Sequence, residues 1–365
     1  MNIGSIKEDF NLEKRVSITP ETTKRLINLN FSVFLEKNYG EHLGISDKAY
    51  QNEGANLLNS SKEVLEQSNI ILSVNFFSNS VIDLIKDKSI LIGQFEPESN
   101  KEKINKLVKR NIKIFSLNLL PRITRAQTMD VLSSQANLAG YRAVIESIGE
   151  FNKVVPMMMT AAGTITPARV LVIGAGVAGL QAIATAKRLG AVVSATDVRS
   201  AVKEQVESLG GKFLSVEGIA NLETKEGYAK EVDENFKKKQ SELLKNAVKK
   251  SDIIICTALI PGKKAPRIIT EEMVKSMKSG SIIYDLAVGQ GGNAAFSESN
   301  KINIIRGVKI MGSTNILNNL AETASNLYSK NLFNFLNNLY SKDKKDIDIN
   351  KNDEIIIKTL ISKEL

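Results

Sequence analysis

Residues 170–199 constrain the fold of this chain more than any other stretch. Apolar Val170–Ile173 runs straight into Gly174-Ala175-Gly176-Val177-Ala178-Gly179, a small-residue helical run follows, and Ala191–Thr196 forms a second apolar run that ends on Asp197. The pattern is strand, glycine turn, helix, strand, acid, and each part has a physical task. Gly174 permits a tight turn, Gly176 leaves no side chain in the path of a pyrophosphate, and Gly179 lets the helix pack close to the strand. The helix start offers unpaired N–H groups and the positive end of its dipole to phosphate. Asp197 is suited to accept a hydrogen bond from an adenosine ribose hydroxyl and to repel a 2′-phosphate, which favours NAD(H) over NADP(H). Arg199 follows closely and leaves some tolerance of a 2′-phosphate open. A glycine triplet alone also serves ordinary turns, and Asp197 alone an ordinary strand end. With the whole context met, Gly174, Ala175, Gly176, Val177, Ala178, Gly179, Asp197, Val198 and Arg199 are the candidate dinucleotide site.

The rest of the chain alternates short apolar runs with helical patterns, which implies α/β architecture with parallel sheets. Phe31–Leu35, Ile70–Val74, Ser89–Gly93 and Ile112–Ser116 read as strands, with Pro20–Asn30, Ser60–Gln67, Ser80–Lys86 and Asn100–Lys109 as helices between them. This half has no glycine fingerprint. Leu132–Phe151 and Thr323–Asn338 are long helical patterns, and Lys212–Ser215, Ile253–Ala258, Ser281–Asp285 and Val308–Met311 continue the strands after Asp197. The expectation is two Rossmann-like, doubly wound parallel-sheet domains separated by a cleft and joined by long helices. The first, discontinuous domain is residues 1–132 plus 323–365, and the dinucleotide-binding domain is 133–322. Glu354–Ile361 reads as a last strand or a poorly ordered tail. Residues 216–236 are too long and polar for a simple α/β connection. That stretch, with Tyr228 after Gly227, is either an insertion or a lid over the nucleotide.

Composition excludes several functions. The net charge is +9, but the lysines are scattered without an aromatic-interleaved patch, so nucleic acid is not the expected partner. The densest run, Lys237-Lys238-Lys239, reads as a solvated helix face. Cys256 is the single cysteine and sits in an apolar strand, which fits a reducing compartment and a core role. The single histidine, His42, lies in a glycine-flanked turn, so no metal-ligand cluster is on offer. Charged Lys7, Glu8 and Asp9 open the chain where a signal segment would be apolar, and Val154–Ala168 and Val170–Ala186 are broken by proline or glycine. The chain reads as soluble, without direct membrane insertion.

Leu119–Ser134 gathers Arg122, Gln127, Asp130 and Ser133 between the two halves. Spacing alone makes this an ordinary capped helix entry. The runs Pro121–Val144, Met157–Arg199 and Thr257–Gly262, with Arg15–Pro20, Asp285-Leu286-Ala287 and Gly291-Gly292-Asn293, closely resemble the NAD(H)-binding alpha subunits of proton-translocating NAD(P) transhydrogenases, within the alanine dehydrogenase superfamily. The resemblance implies that Gln127 orients the dihydronicotinamide, that Arg122, Asp130 and Ser133 hold its carboxamide and the loop, and that Tyr228 belongs to a mobile loop closing on the nucleotide. It adds Thr257, Ala258 and Leu259 to the cofactor-binding set. It further implies hydride transfer from NADH to NADP⁺ held on a partner beta subunit, membrane-embedded partner subunits that move protons, a homodimer, and a cytoplasmic chain held peripherally at the inner membrane.

Two rival readings exist. Alanine dehydrogenase shares the fold, and Arg15 matches its carboxylate-binding arginine. Its catalytic histidine, however, is replaced by the run Gly93-Gln94-Phe95-Glu96, and the acid before its Gln-Gly-Gly by Gly289. Without an acid–base pair, amine oxidation is slow. A nucleotide-sensing module would keep the glycine turn but has no use for the Arg122–Ser133 loop. The chain also departs from the transhydrogenase pattern at Gly289 and at Ile316-Leu317-Asn318-Asn319.

Overall fold

The structure is a computed structural model that describes residues 1–215, 234–260, 263–341 and 343–362. The chain divides into two compact units, Met1–Gln135 with the chain from Leu317 onward, and Ala136–Ile316.

In the first unit, β1 (Asn2–Ser5), β2 (Ser32–Glu36), β3 (Asn56–Leu58), β4 (Ile70–Leu72), β5 (Ile90–Gly93) and β6 (Lys113–Ser116) form an all-parallel sheet in the order β3-β2-β1-β4-β5-β6. Both faces are covered, so successive residues of one strand enter different cores. Ile70 and Leu72 join Ile3, Val33, Leu35 and Phe115 on one face, packed by Leu26 of the helix Pro20–Asn28 and by Tyr328, Leu332, Phe335 and Leu336 of the helix Ala321–Leu339. Ile71, Leu91 and Ile114 enter the other core, with Val64, Leu65 and Leu107.

Three local expectations are corrected here. Central β1 escapes a reading of the sequence because Asn-Ile-Gly-Ser has little strand propensity; its burial in mid-sheet makes it a strand. The pattern Ser80–Lys86 yields only the short helix Asn79–Ile82. The isoleucine run at 355–357 is neither strand nor loose tail but part of a helix, Glu354–Thr359. Asp353 caps it by accepting from Ile355 N at 2.9 Å, and Ile355 and Ile356 are buried in the first core. Cap and burial override the β-branched preference for strand. Beyond this helix, Leu360 bridges Phe115 and Ile361 N donates to Ile114 O at 2.9 Å, which covers the β6 edge.

The second unit opens with an antiparallel hairpin, β7 (Met158–Thr160) and β8 (Gly163–Ile165), before its main sheet. The sheet comprises β9 (Arg169–Ile173), β10 (Val192–Thr196), β11 (Lys212–Phe213), β12 (Ile253–Cys256), β13 (Ile282–Asp285), β14 (Lys301–Ile305) and β15 (Val308–Gly312), ordered β11-β10-β9-β12-β13-β15-β14. Only β14 runs antiparallel to its neighbour. It too escapes the sequence pattern, because Lys-Ile-Asn-Ile-Ile at an edge needs only one protected face. Cys256 is fully buried in β12, where burial pushes its thiol up and keeps it from acting as a nucleophile.

Candidate functional site

The glycine turn follows β9, and its three glycines are required for three different reasons. Gly174 has φ +91°, and a Cβ there would lie 2.8 Å from Thr257 Oγ1. Gly179 sits so close to the turn that a Cβ would come within 1.9 Å of Gly174 O. Gly176, by contrast, faces open space, with Arg199 Nη2 the nearest atom at 3.9 Å from a Cβ position. Gly176 is the N-cap of the helix Val177–Arg188 and supplies no side chain to its first turn. The N–H groups of Val177, Ala178 and Gly179 thus lie in a helix start with a positive dipole end and no built-in side-chain acceptor. On the other side, Gly140 of the helix Val131–Glu150 meets the turn's backbone: a Cβ there would lie 2.0 Å from Ala178 O.

Asp197 follows β10, nearly buried. Its Oδ2 accepts from Ala175 N at 2.7 Å and Arg199 Nη2 at 2.8 Å, and its Oδ1 accepts from Arg199 N at 2.8 Å and Nε at 2.9 Å. Two bonds on each oxygen use the carboxylate's ordinary capacity. A ribose hydroxyl reaching Asp197 therefore takes the place of an Arg199 donor. Val198, between them, is half-buried.

The end of β12 braces this turn. Thr257 Oγ1 donates to Gly174 O at 2.9 Å. Ala258 is gripped by Asn293, a fully buried residue that spacing does not single out. Asn293 Oδ1 accepts from Ala258 N at 3.0 Å, while its Nδ2 donates to Ala258 O and Pro266 O, both at 2.9 Å. Asp285 holds the loop that carries Asn293, accepting from Ala287 N and Ala294 N at 2.9 Å, and burial raises its carboxyl from the usual range. Only long-range pairing reveals Asn293; its local sequence is that of a turn. Leu259 is exposed, and Tyr228 lies outside the described residues.

The first unit brings the other candidates together. Arg122, Gln127, Asp130 and Ser133 line one pocket of about 380 Å³, with Ile123 and Ala126. Gln127 rides on a 3₁₀ turn, Thr124–Met129, whose Ala126 and Met129 are buried while Gln127 faces out. Asp130 caps the helix Val131–Glu150: it accepts from Ser133 N at 2.9 Å and Ser133 Oγ at 2.5 Å. Thr128 O accepts from Asn331 Nδ2 at 2.8 Å and Asn334 Nδ2 at 3.0 Å. Arg125 forks onto the Asp353 carboxylate and donates to Asn338 Oδ1 at 3.0 Å.

Arg15 is already engaged. Glu13 accepts from its Nε at 2.8 Å and its Nη2 at 2.7 Å, Gln135 Oε1 from its Nη1 at 3.0 Å, and the Tyr328 ring lies beneath it. In the run that stands where an alanine dehydrogenase has its histidine, Phe95 is fully buried. Among the described residues, no three His, Cys, Asp or Glu side chains gather into a metal-binding group, and no helix is long and apolar enough to cross a membrane.

Comparison with known proteins places this geometry. The family model described as alanine dehydrogenase/PNT, N-terminal domain, matches residues 4–139, and the one described as alanine dehydrogenase/PNT, C-terminal domain, matches residues 143–364. The chain is 49% identical over 371 residues to an NAD(P) transhydrogenase subunit alpha chain of Rhodospirillum rubrum, spanning 100% of this chain and 97% of that one. It is 44% identical over 368 residues to the protein of the same name from Rickettsia prowazekii, covering 100% and 95%. The solved structure of the transhydrogenase from Sinorhizobium meliloti superposes with a TM-score of 0.90 at 43% identity, over 99% of this chain and 98% of that one.

Proposed function

The chain belongs to the alanine dehydrogenase/PNT family, and on that premise we propose that it is the NAD(H)-binding component of a proton-translocating NAD(P) transhydrogenase. The observation that carries the proposal is the pocket shared by Arg122, Gln127, Asp130 and Ser133. It joins four side chains the resemblance assigns to the nicotinamide end, and it contains no histidine or lysine for acid–base work. That lack suits direct hydride transfer. The hydride leaves NADH with its electron pair and reduces NADP⁺ on the partner beta subunit, so NAD⁺ and NADPH result and no proton needs a carrier at this site.

The task left to this chain is binding and orientation. Gly176 and the uncapped helix start receive the pyrophosphate, and Asp197 receives the adenosine ribose. Thr257, Ala258 and Leu259 complete the nucleotide-binding set, and Tyr228 closes over it. Arg122, Asp130 and Ser133 hold the carboxamide, and Gln127 directs the ring toward the second nucleotide. Reacting carbons must approach to roughly 3–3.5 Å, so rate depends on Gln127's placement. Proton movement belongs to membrane-embedded partner subunits, to which this chain is peripheral on the cytoplasmic side. Met157, Met158 and Met159, exposed at 63%, 44% and 84% on and beside the β7–β8 hairpin, support a homodimer, since such a row is costly to leave in water.

Engagement of Arg15 by Glu13 and Gln135 weighs against alanine oxidation, because a substrate carboxylate would have to displace an internal one. Reconstitution with a NADP(H)-binding component, assayed with an acetylpyridine analogue of NAD, tests the proposal. Transfer that needs both components is expected, with no alanine-dependent NAD reduction; alanine oxidation by the chain alone refutes it. Gln127→Ala is expected to cut the transfer rate about a hundredfold while NADH affinity changes about threefold or less. Equal losses in both would remove its orienting role.

A further inference from the structure

We propose that Arg125 and Asp353 are a positioning pair, which makes the segment 353–362 part of the apparatus that aims Gln127. The inference rests on the transhydrogenase reading and extends it to residues outside the pocket.

The reasoning starts from how little holds Gln127. Its 3₁₀ turn spans only Thr124–Met129, and such turns have poorer hydrogen-bond geometry than an α-helix. Two side chains, Ala126 and Met129, anchor it in the core. Its orientation is set by polar ties on both sides of Gln127. On one side Thr128 O takes the Asn331 and Asn334 amides. On the other, Arg125 reaches Asp353 with both terminal nitrogens, a fork that fixes direction as well as distance.

Asp353 is the hub of this second tie. The same carboxylate accepts from Asn338 Nδ2 at 3.2 Å and from Ile355 N at 2.9 Å. Its side chain is 10% exposed, whereas Arg125 is 54% exposed. The acid is thus the fixed end and the arginine the arm. What fixes the acid is the packing behind it: Ile355 and Ile356 in the core, then Leu360 and Ile361 along β6, where Ser362 Oγ also accepts from Ile114 N at 2.9 Å. A continuous path of contacts runs from the sheet edge through the helix Glu354–Thr359 to the backbone beside Gln127. An ion pair with one exposed partner contributes little to stability. A pair retained for direction should therefore affect rate more than melting.

Asp353→Asn separates these effects. Asparagine keeps an oxygen for Ile355 N, so the helix cap survives, but it lacks the charged fork acceptor. Arg125→Met keeps the stem and removes the fork from the other side, and Arg125→Lys keeps the charge alone. In the full chain with its NADP(H)-binding partner, Asp353→Asn and Arg125→Met are each expected to lower kcat about tenfold, with KM for NADH within about twofold. Arg125→Lys should fall between, and the double variant should be no slower than either single one. Melting temperatures should stay within about 3 °C of the parent. Rates within twofold of the parent in both single variants overturn the inference. So does a loss of rate matched by equal loss of NADH affinity or by a larger melting shift, since that marks a merely structural pair. A parent chain that transfers no hydride with the partner present refutes the transhydrogenase reading, and the inference falls with it.

Discussion

The two units solve one topology in opposite ways. Both order their parallel strands with the first strand in the middle and the chain winding outward on each side. In the second unit, β9 reaches its helix through Gly174–Gly176 alone, and the space beyond the strand ends stays open. In the first, β1 and the helix Pro20–Asn28 are separated by residues 6–19, which fold back over the strand ends. Ile6, Val16 and Ile18 are buried there, and the Tyr39 hydroxyl contacts Ser5 Oγ at 2.7 Å and accepts from Ser17 N at 3.0 Å. Where one unit leaves a cradle, the other inserts its own chain. The difference teaches that the α/β winding makes a place for a ligand, and that the first connection decides whether the place is kept.

The hardest test of this contrast is Gly179→Val. With Gly174 O only 1.9 Å from a Cβ position, the turn must deform, and NADH affinity should fall at least about a hundredfold by fluorescence titration. Retained affinity would show that the turn is not the cradle. Tyr39→Phe probes the filled counterpart. It strips a buried hydroxyl from Ser5 and Ser17 and should destabilise the chain by about 1–3 kcal/mol in urea, with NADH affinity unchanged. A change in affinity would mean that the first unit's plug takes part in binding the nucleotide.

Legibility in the sequence follows the same divide. The cradle is readable because its signals are local: a strand, three glycines, a helix and an acid within one short stretch. The plug is not, because Asn-Ile-Gly-Ser and the irregular residues after it become structured only through Tyr39, Tyr50 and the sheet around them. The Gln127 turn carries no period of its own, and spacing alone leaves it an ordinary helix entry. Asn293 and Asp353 are further cases, since what each side chain does depends on partners far along the chain, at Ala258 and at Arg125. Overall α/β class survives such omissions since many short apolar strands vote for it together.

Two smaller effects sharpen the comparison. Asp197→Asn removes the charge that should exclude a 2′-phosphate, so the affinity ratio of NADH to NADPH should shrink about tenfold. An unchanged ratio would assign the discrimination elsewhere. The smallest effect concerns acid. The Arg125 fork holds the Asp353 carboxyl down from 3.8 to about 2. Because the folded value is lowered, the stabilisation is full above the ordinary value and is lost as pH falls through the folded one. The stability gap between the parent and Asp353→Asn should therefore close between pH 3.8 and about 2, measured by urea melts at stepped pH. A gap that persists at the lowest pH would show that the ionised carboxylate is not its source.

One contact carries a consequence for how this protein can be altered. Gly140 touches the carbonyl of Ala178, backbone against backbone, from a helix outside the glycine motif. Any heavier residue at 140 presses on the first turn of the helix that faces the phosphates, without adding a group that a nucleotide would meet. Grip on the cofactor is therefore adjustable from behind, and an inspection limited to the ligand-facing surface would overlook the adjusting screw.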